Sequence, residues 1–533
     1  MLKLIRTILA IVFWLGITLL FLDFTGTFLQ YVGWMAKIQF LPSVLALNAV
    51  VILLLLFGTL LFGRIYCSII CPLGVLQDVF ARIGRWKVFR KNKKAKFANK
   101  YTYSRPKTWL RIAVLVLFIV MMVAGFNAGA VLLAPYSSYG RMVASLLQPI
   151  YIDINNVLAR LAEANDSYLF YEVEPRNNPV ILLIISAVTA LILFVLAFRN
   201  GRTYCNTICP VGTVLGGVAK FSFFKMRVVD EDKCIKCGLC EKNCKASCVK
   251  VEKDKPVSFD YSRCVACGNC QTVCSKRVIG YRFGAFGKKS ADNISIDNSA
   301  EEKTADVSRR DFITVTGLAV AAATLEAQEK TTDGGLAVIE DKEVPVRKTP
   351  LTPPGSISAR NFHQHCTACQ LCIVNCPNNV LRPSQSLDRF MQPEMQYDKG
   401  YCHNRCTKCS KLCPTGAIRP ITAEEKSEIQ IGHAVWLKKN CIPIRDERTC
   451  GKCAKVCPVQ AIQMVPVDKS LKKNPDTGEW MDADGNLLNE REILKIPVVN
   501  TEKCIGCGSC ENLCPARPLS AIYVEGHEIH KKV

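Results

Sequence analysis

The sequence predicts an α-helical membrane bundle of four spans, with a fifth crossing segment further on, joined to small α+β modules built around cysteine. Three observations predict it. Four apolar runs are long enough to cross a bilayer, which takes about 20 residues. Cysteine occurs 29 times in 533 residues, mostly in short, regularly spaced groups. Hydrophobic residues make up 50% of the chain and charged ones only 21%, and mean hydropathy is +0.17, a balance that a purely soluble chain of this size seldom shows. The length suits about three or four domains. It rules out a small disulfide-stapled fold, and the apolar content rules out disorder.

The apolar runs are Leu4–Leu22, Leu41–Phe62, Ile112–Leu133 and Val180–Phe198. Charge orients them. Residues 1–230 hold 24 Lys and Arg against 8 Asp and Glu, whereas the remaining residues hold 44 against 37. The basic excess therefore flanks the apolar runs. No base-reading motif accompanies it, so nucleic acid is not an expected partner. From Arg82 to Arg111 there are twelve basic residues and no acid, while residues 134–179 carry three basic and five acidic ones. The positive-inside rule then puts the N-terminus and the 63–111 loop inside, the 134–179 loop outside, and the chain after Phe198 inside again. Leu76, Val79, Phe80, Ile83 and Trp86 recur at helical spacing. They fit either an amphipathic helix on the inner leaflet or a packed cytoplasmic helix.

An internal repeat follows the second and fourth runs. Gly63-Arg-Ile-Tyr-Cys67-Ser-Ile-Ile-Cys71-Pro72 matches Gly201-Arg-Thr-Tyr-Cys205-Asn-Thr-Ile-Cys209-Pro210, and each copy continues into a hydrophobic residue and a Gly. Parallel repeats of this kind imply a pseudo-two-fold axis along the membrane normal. Cys67, Cys71, Cys205 and Cys209 would converge near that axis, at the cytoplasmic mouth. Four thiolates suit an iron–sulfur cluster. Two redox-active dithiols, or cysteines packed as small apolar residues, are the rival readings.

Six further quartets follow the pattern of bacterial [4Fe-4S] ferredoxins, four with the spacing C-x₂-C-x₂-C-x₃-C and two with a longer first spacer, x₃ after Cys402 and x₈ after Cys441. Three thiolates on one tight loop reach three irons of a cubane, and the fourth points to the neighbouring cluster. The first two are Cys234, Cys237, Cys240, Cys244 and Cys264, Cys267, Cys270, Cys274, with Cys244 and Cys274 expected to cross over. Cys248 is a spare thiol that competes with Cys244. Four more quartets each end in Cys-Pro: Cys366, Cys369, Cys372, Cys376; Cys402, Cys406, Cys409, Cys413; Cys441, Cys450, Cys453, Cys457; and Cys504, Cys507, Cys510, Cys514. Among these four, pairing of neighbours and nested pairing both remain open. Zinc sites prefer separated pairs, often with His, and would not recur in this form. The six His all lie at or beyond His363, and no C-x-x-C-H occurs, so neither a bis-His haem in the bundle nor covalent haem is expected.

The expected domain order is then a four-span membrane domain over 1–220, a cytoplasmic two-cluster ferredoxin over 226–283, and a polar linker over 284–307. Ser308-Arg309-Arg310-Asp311-Phe312 with the apolar run to Leu325 resembles a twin-arginine export signal, which makes 308–326 a fifth crossing. A second linker over 327–361 leads to an extracytoplasmic four-cluster ferredoxin over 362–533.

Together these motifs resemble a known family. The first 283 residues resemble the membrane ferredoxin of quinol dehydrogenases that serve periplasmic nitrate reductase, the NapH type. Residues 308–533 resemble its exported partner, the NapG type, so the chain reads as a fusion of the two. The resemblance implies a multi-pass protein of a bacterial inner membrane with six [4Fe-4S] clusters, to which the membrane thiols would add a seventh. Its expected partners are membrane lipid, quinol as substrate, and an extracytoplasmic reductase as acceptor. Two other readings stay open: conduction from a cytosolic ferredoxin-like donor, and maturation or redox maintenance of an exported metalloenzyme. No catalytic constellation of side chains is expected.

Overall fold

A computed structural model describes residues 2–23, 26–84, 101, 103–125, 127–165, 170–173, 179–252, 256–283, 332–333, 337–338, 340–468, 470–473, 480–481, 487–489 and 493–532. Its helical part begins with α1 (Leu2–Leu22), followed by the short α2 (Leu29–Val32) and α3 (Trp34–Lys37). Then come α4 (Phe40–Leu45), α5 (Ala49–Phe62), α6 (Ile65–Ile69), α7 (Pro72–Ile83), α8 (Thr108–Val123) and α9 (Asn127–Leu133). The remainder is α10 (Pro135–Met142), α11 (Gln148–Glu163), α12 (Val180–Asn200), α13 (Thr203–Thr207) and α14 (Pro210–Ala219).

Of the four expected spans, only those of α1 and α12 are single helices long and apolar enough to cross a membrane. The other two are broken. Leu47 has φ +52°, which no right-handed helix continues, and Asn48 caps the restart by accepting from the Val51 N–H at 3.3 Å. Gly125, with φ +76°, ends α8 in the same way. The 134–179 loop holds structure of its own: α10, a five-residue π turn and α11 run almost unbroken, and every residue of α10 is buried.

The repeat is re-entrant. Helix α7 runs beside α12 in the same direction, with Phe80 edge-on to Phe194 at 5.3 Å and Gly84 against Phe198. Its start at Cys71 is therefore turned back into the bundle. The second copy is reciprocal: α7 of the first repeat packs on α12 of the second, and α14 of the second packs on α5 of the first. This supplies the expected two-fold relation. It also makes α7 a packed helix rather than one spread on a leaflet; Trp86 lies outside the described residues. The repeat spans the depth of the bundle rather than its mouth. The Tyr66 hydroxyl accepts from the Phe40 N–H, where the second run begins, and Tyr204 donates to Leu133 O, where the third ends.

Two cysteine-rich lobes hold opposite ends of the same helices. At the start of α1, Lys3 Nζ donates to Thr272 of the lobe 224–283, and beyond the end of α12 the Arg202 N–H donates to Lys245 O of that lobe at 2.8 Å. At the other end of α1, Leu20 O accepts from Asn375 Nδ2 at 3.1 Å, and near the start of α12 Leu182 packs with Ala368 and Met391. A 21-residue helix is about 31 Å long, which sets the separation.

In the first lobe, Phe224–Val228 pairs antiparallel with Ile279–Phe283, and Phe224 stacks on Phe62 at 5.7 Å. In the second, Ile429–Trp436 pairs antiparallel with Ile522–Lys532. Residues 340–361, expected as linker, belong to this second lobe. Arg347 Nη2 reaches the Glu511 carboxylate at 2.5 Å with both side chains 3% exposed, and Leu351 is wholly buried. The Pro and charge that resembled a linker are spent on a strap across the lobe. The export-like segment 308–326 and the linker 284–307 lie outside the described residues.

Candidate metal centres

The cysteine loops share one backbone pattern. In the four runs with regular spacing, the residues on either side of the second cysteine have positive φ: Lys236 and Gly238, Ala266 and Gly268, Ala368 and Gln370, Gly506 and Gly508. Such a turn gathers backbone N–H groups around an anion. A left-handed non-glycine residue costs about 1 kcal/mol, so Lys236, Ala266, Ala368 and Gln370 signal a loop held by something it encloses. The runs opening at Cys402 and Cys441 have longer first spacers and lack this turn.

In four of the six runs the fourth cysteine is served by a separate N–H. The third residue after it is again left-handed at Ser247, Arg277, Asn379, Gly416 and Gln460. After Cys244, Cys413 and Cys457 this turns a later N–H back onto sulfur, and Cys514 receives one without such a turn. Cys248 N donates to Cys244 Sγ at 3.3 Å, Ile418 N to Cys413 at 3.5 Å, Ala461 N to Cys457 at 3.2 Å and Ala521 N to Cys514 at 3.3 Å. Cys248 thus stands where Ala461 stands in the later run, as the small buried residue that supplies the N–H. Its own sulfur lies 3.4 Å from that of Cys244.

The sets form by exchange of the fourth cysteine between neighbours. Cys234, Cys237 and Cys240 line a cavity with Cys274, and Cys270 lies in the field of Cys264, Cys267 and Cys244. Cys402, Cys406 and Cys409 line a cavity with Cys376, and Cys366, Cys369 and Cys372 share the field of Cys413. Cys441, Cys450 and Cys453 enclose a cavity with Cys514, and Cys504, Cys507 and Cys510 with Cys457. Neighbour pairing therefore holds, and nested pairing does not. Among the described residues no group of three or more His, Cys, Asp or Glu closes on a point that would hold one metal ion.

The repeat builds a further enclosed set. Cys67, Cys71, Cys205 and Cys209 are each 4–5% exposed and feel one another electrostatically. Gln77 Nε2 donates to Cys205 Sγ at 3.2 Å and Gly212 N to Cys209 Sγ at 3.3 Å. The two repeat arginines cross over. Arg64 donates to Cys205 O at 3.2 Å and lies 3.7 Å from Cys67 Sγ, while Arg202 donates to Cys67 O. Gly74 and Gly212 make room, because a Cβ on either would overlap the carbonyl of Cys67 or Cys205.

Charge at this site is unbalanced. Asp78 takes Arg202 at 2.7 Å, Lys245, and Arg6 at 3.7 Å. The matching place in the second repeat is Gly216, whose missing side chain is replaced by the Arg111 guanidinium. Arg64 is wholly buried and Arg111 is 6% exposed, and among the described residues neither pairs with a carboxylate. Arg64 Nε has no partner at all. Buried cations of this kind need a buried anion. Four thiolates around an iron–sulfur core would supply one; neutral thiols packed as apolar residues would not. Sequence reasoning named the four thiols but passed over Arg64, Arg202, Gly74 and Gly212, although the shared Gly-Arg-x-Tyr and the later Gly already marked them.

The sets stand in series. Arg64 Nη1 donates to Ser262 O at 3.0 Å, two residues before Cys264, and joins the repeat thiols to the first lobe. Tyr204, next to Cys205 in sequence, shares a buried cluster with Cys209, Tyr139 and Cys369, and the Cys369 carbonyl abuts Gly140, the residue before Arg141. Within the second lobe, the Cys402 N–H donates to Cys507 O at 3.0 Å, and Tyr397 fills the space between, its hydroxyl on Gly506 O at 2.7 Å.

Comparison with known proteins agrees with this division. Residues 365–417 and 448–517 match the family described as 4Fe-4S dicluster domain; the first range holds both quartets of one neighbour-paired unit and the second all of the other but Cys441. Residues 44–92 and 181–228 match the family described as 4Fe-4S binding domain, one copy for each repeat. The chain is 28% identical over 184 residues to the methylamine utilization ferredoxin-type protein MauM of Methylobacillus flagellatus, covering 34% of this chain and 70% of that protein. It is 28% identical over 200 residues to the ferredoxin-type protein NapG of Escherichia coli, covering 34% of this chain and 76% of that protein. An uncharacterized protein of Methanocaldococcus jannaschii is 25% identical over 272 residues, covering 50% of this chain and 82% of its own length. No solved structure matches the chain. These similarities support a polyferredoxin family for the chain, with iron–sulfur electron transfer as its chemistry.

Proposed function

We propose that the chain is a membrane-bound electron conductor that passes electrons from quinol to an acceptor outside a bacterial cytoplasmic membrane, such as a reductase of the periplasmic nitrate type. One observation carries this reading: four enclosed thiols lie between two cysteine lobes that hold opposite ends of α1 and α12. Residues 226–283 then face the cytoplasm and residues 327–533 the periplasm, the chain being a fusion of NapH-type and NapG-type parts. The six quartets, grouped with their fourth cysteines exchanged, are the ligands of six [4Fe-4S] clusters, and Cys67, Cys71, Cys205 and Cys209 hold a seventh. Each cluster, when bound, takes up and gives back one electron, so a row of them divides the electron pair of a quinol. The chain's own groups do the rest. Backbone N–H groups donate to sulfur, buried arginines offset the negative charge, and burial keeps water from the path.

The seat of the inner lobe on the membrane thiols, through Arg64 and Ser262, favours a second reading in which a cytosolic ferredoxin-like protein is the donor. One experiment separates the two. The purified protein in liposomes is offered a ubiquinol analogue or, separately, reduced bacterial ferredoxin, and cluster bleaching is followed anaerobically. Bleaching by quinol supports the first reading. Bleaching by ferredoxin alone removes it and leaves the second.

A further inference from the structure

The outer lobe meets the bundle through the loop of its first cysteines, and the receiving surface is α10. Gly140 is the seat: a Cβ there would lie 2.5 Å from Cys369 O and 2.6 Å from the Phe21 ring. The next residue, Arg141, is 2% exposed. Its Nη2 donates to Val131 O at 3.1 Å and Ser138 Oγ at 3.2 Å, its Nη1 has no partner, and among the described residues no carboxylate pairs with it. An unpaired buried guanidinium is costly unless negative charge comes close to it. On one side the Cys369 loop lies against Gly140, and on the other Tyr136 and Tyr139 of α10 share a buried cluster with Tyr204, Cys71 and Cys209, so a cluster held at Cys369 would be the negative charge within reach. Ala368 and Asn375 flank the same loop and fix it to Leu182 and Leu20.

We propose that α10 is the electron-transfer junction between the membrane thiols and the outer lobe, with Gly140 seating the Cys369 loop and Arg141 as the positioning residue that makes the Cys366, Cys369, Cys372 and Cys413 centre the first acceptor in that lobe. This rests on the reading of both thiol sets as cluster ligands. The step is the passage of one electron from the reduced centre in the membrane to the oxidised centre at Cys369, with no bond made and no proton moved. The fixed charge of Arg141 favours the reduced and more negative state of that centre over its neighbours.

The test uses the full chain in detergent under anaerobic conditions, with iron content, redox titration followed by electron paramagnetic resonance, and spin coupling between centres as readouts. Arg141→Gln is expected to leave iron unchanged and to lower the reduced-to-oxidised ratio of one centre about tenfold at fixed potential, near 59 mV for one electron. Arg141→Lys should keep that centre close to the wild type. Gly140→Leu should leave iron unchanged and abolish the spin coupling between that centre and the one in the membrane. If Arg141→Gln moves no centre, or moves all of them alike, the role of Arg141 is overturned. If Gly140→Leu keeps the coupling, the junction is overturned. An iron-free wild type would instead defeat the underlying cluster reading.

Discussion

At the scale of single residues, the site of the four repeat thiols turns on charge. Among the described residues Arg64 and Arg111 are buried without a carboxylate partner, and Arg64 lies 3.7 Å from Cys67 Sγ, so a cluster held by the four thiols would supply the missing anion. Replacing Cys67 and Cys205 together by Ser should lower iron by one cluster per chain, by elemental analysis of anaerobically purified protein, and leave the six quartets filled. Unchanged iron would reduce the site to packed cysteines. A second prediction concerns His530 in the outer lobe. Burial, helped by His527, pushes its imidazole from 6.5 down to about 4, and Thr352 Oγ1 lies 3.0 Å from its Nε2. Because the folded value is depressed, the unfolded chain binds the proton first. The neutral ring's contribution is therefore complete above pH 6.5 and is lost as pH falls toward 4, at about 1.4 kcal/mol per pH unit. Denaturant titrations of His530→Gln should show a shallower loss between pH 7 and 5.5 than the wild type; parallel slopes would remove His530 as the cause. Cysteine was legible at this scale because ligand spacing is local. Arg64 and Arg202 were harder, since their partners belong to the other repeat.

At the scale of elements, apolar length was legible and continuity was not. Leu47 gives no hint of positive φ, so the run Leu41–Phe62 read as one span although it folds as α4 and α5. The re-entrant turns escaped for a related reason: Pro72 and Pro210 at a helix start look the same whether the helix leaves the bundle or returns along it. Exchange of fourth cysteines was foreseen for the first lobe from spacing alone. In the outer lobe it needed the fold, because spacing cannot say which two loops lie together. The strap 340–361 was misjudged because its charges have partners far along the chain. Lys342 reaches Glu511 O at 2.6 Å and Arg347 reaches the Glu511 carboxylate. Burial pushes the Glu511 carboxyl up, against the pull of Arg347. Replacing Arg347 by Met should therefore leave a buried acid unpaired and cost about 3–5 kcal/mol. The loss should appear as earlier bleaching of the outer clusters on heating, with the inner ones unaffected. Equal thermal profiles would mean that the strap is not structural.

At the scale of the whole molecule, the separation of the two lobes decides the function. The same two helices, α1 and α12, carry one lobe at each end, and a helix of 21 residues at about 1.5 Å per residue matches the apolar thickness of a bilayer. Apolar side chains cover the helices between the lobes: Ile8, Val12 and Leu15 on α1 and Ile184, Val188 and Leu191 on α12 are all 48–56% exposed. Water would penalise such a surface at roughly 25 cal/mol per Å², whereas lipid would not. The two lobes should then lie in different compartments. An epitope placed after Val533 should be destroyed by protease added to intact spheroplasts, while one inserted within residues 284–307 should survive until the membrane is opened. Loss of both tags from intact cells, or survival of both, would put the lobes on one side. Electrons passing between the lobes would then cross no barrier, and a soluble chain with fewer apolar residues would have served as well.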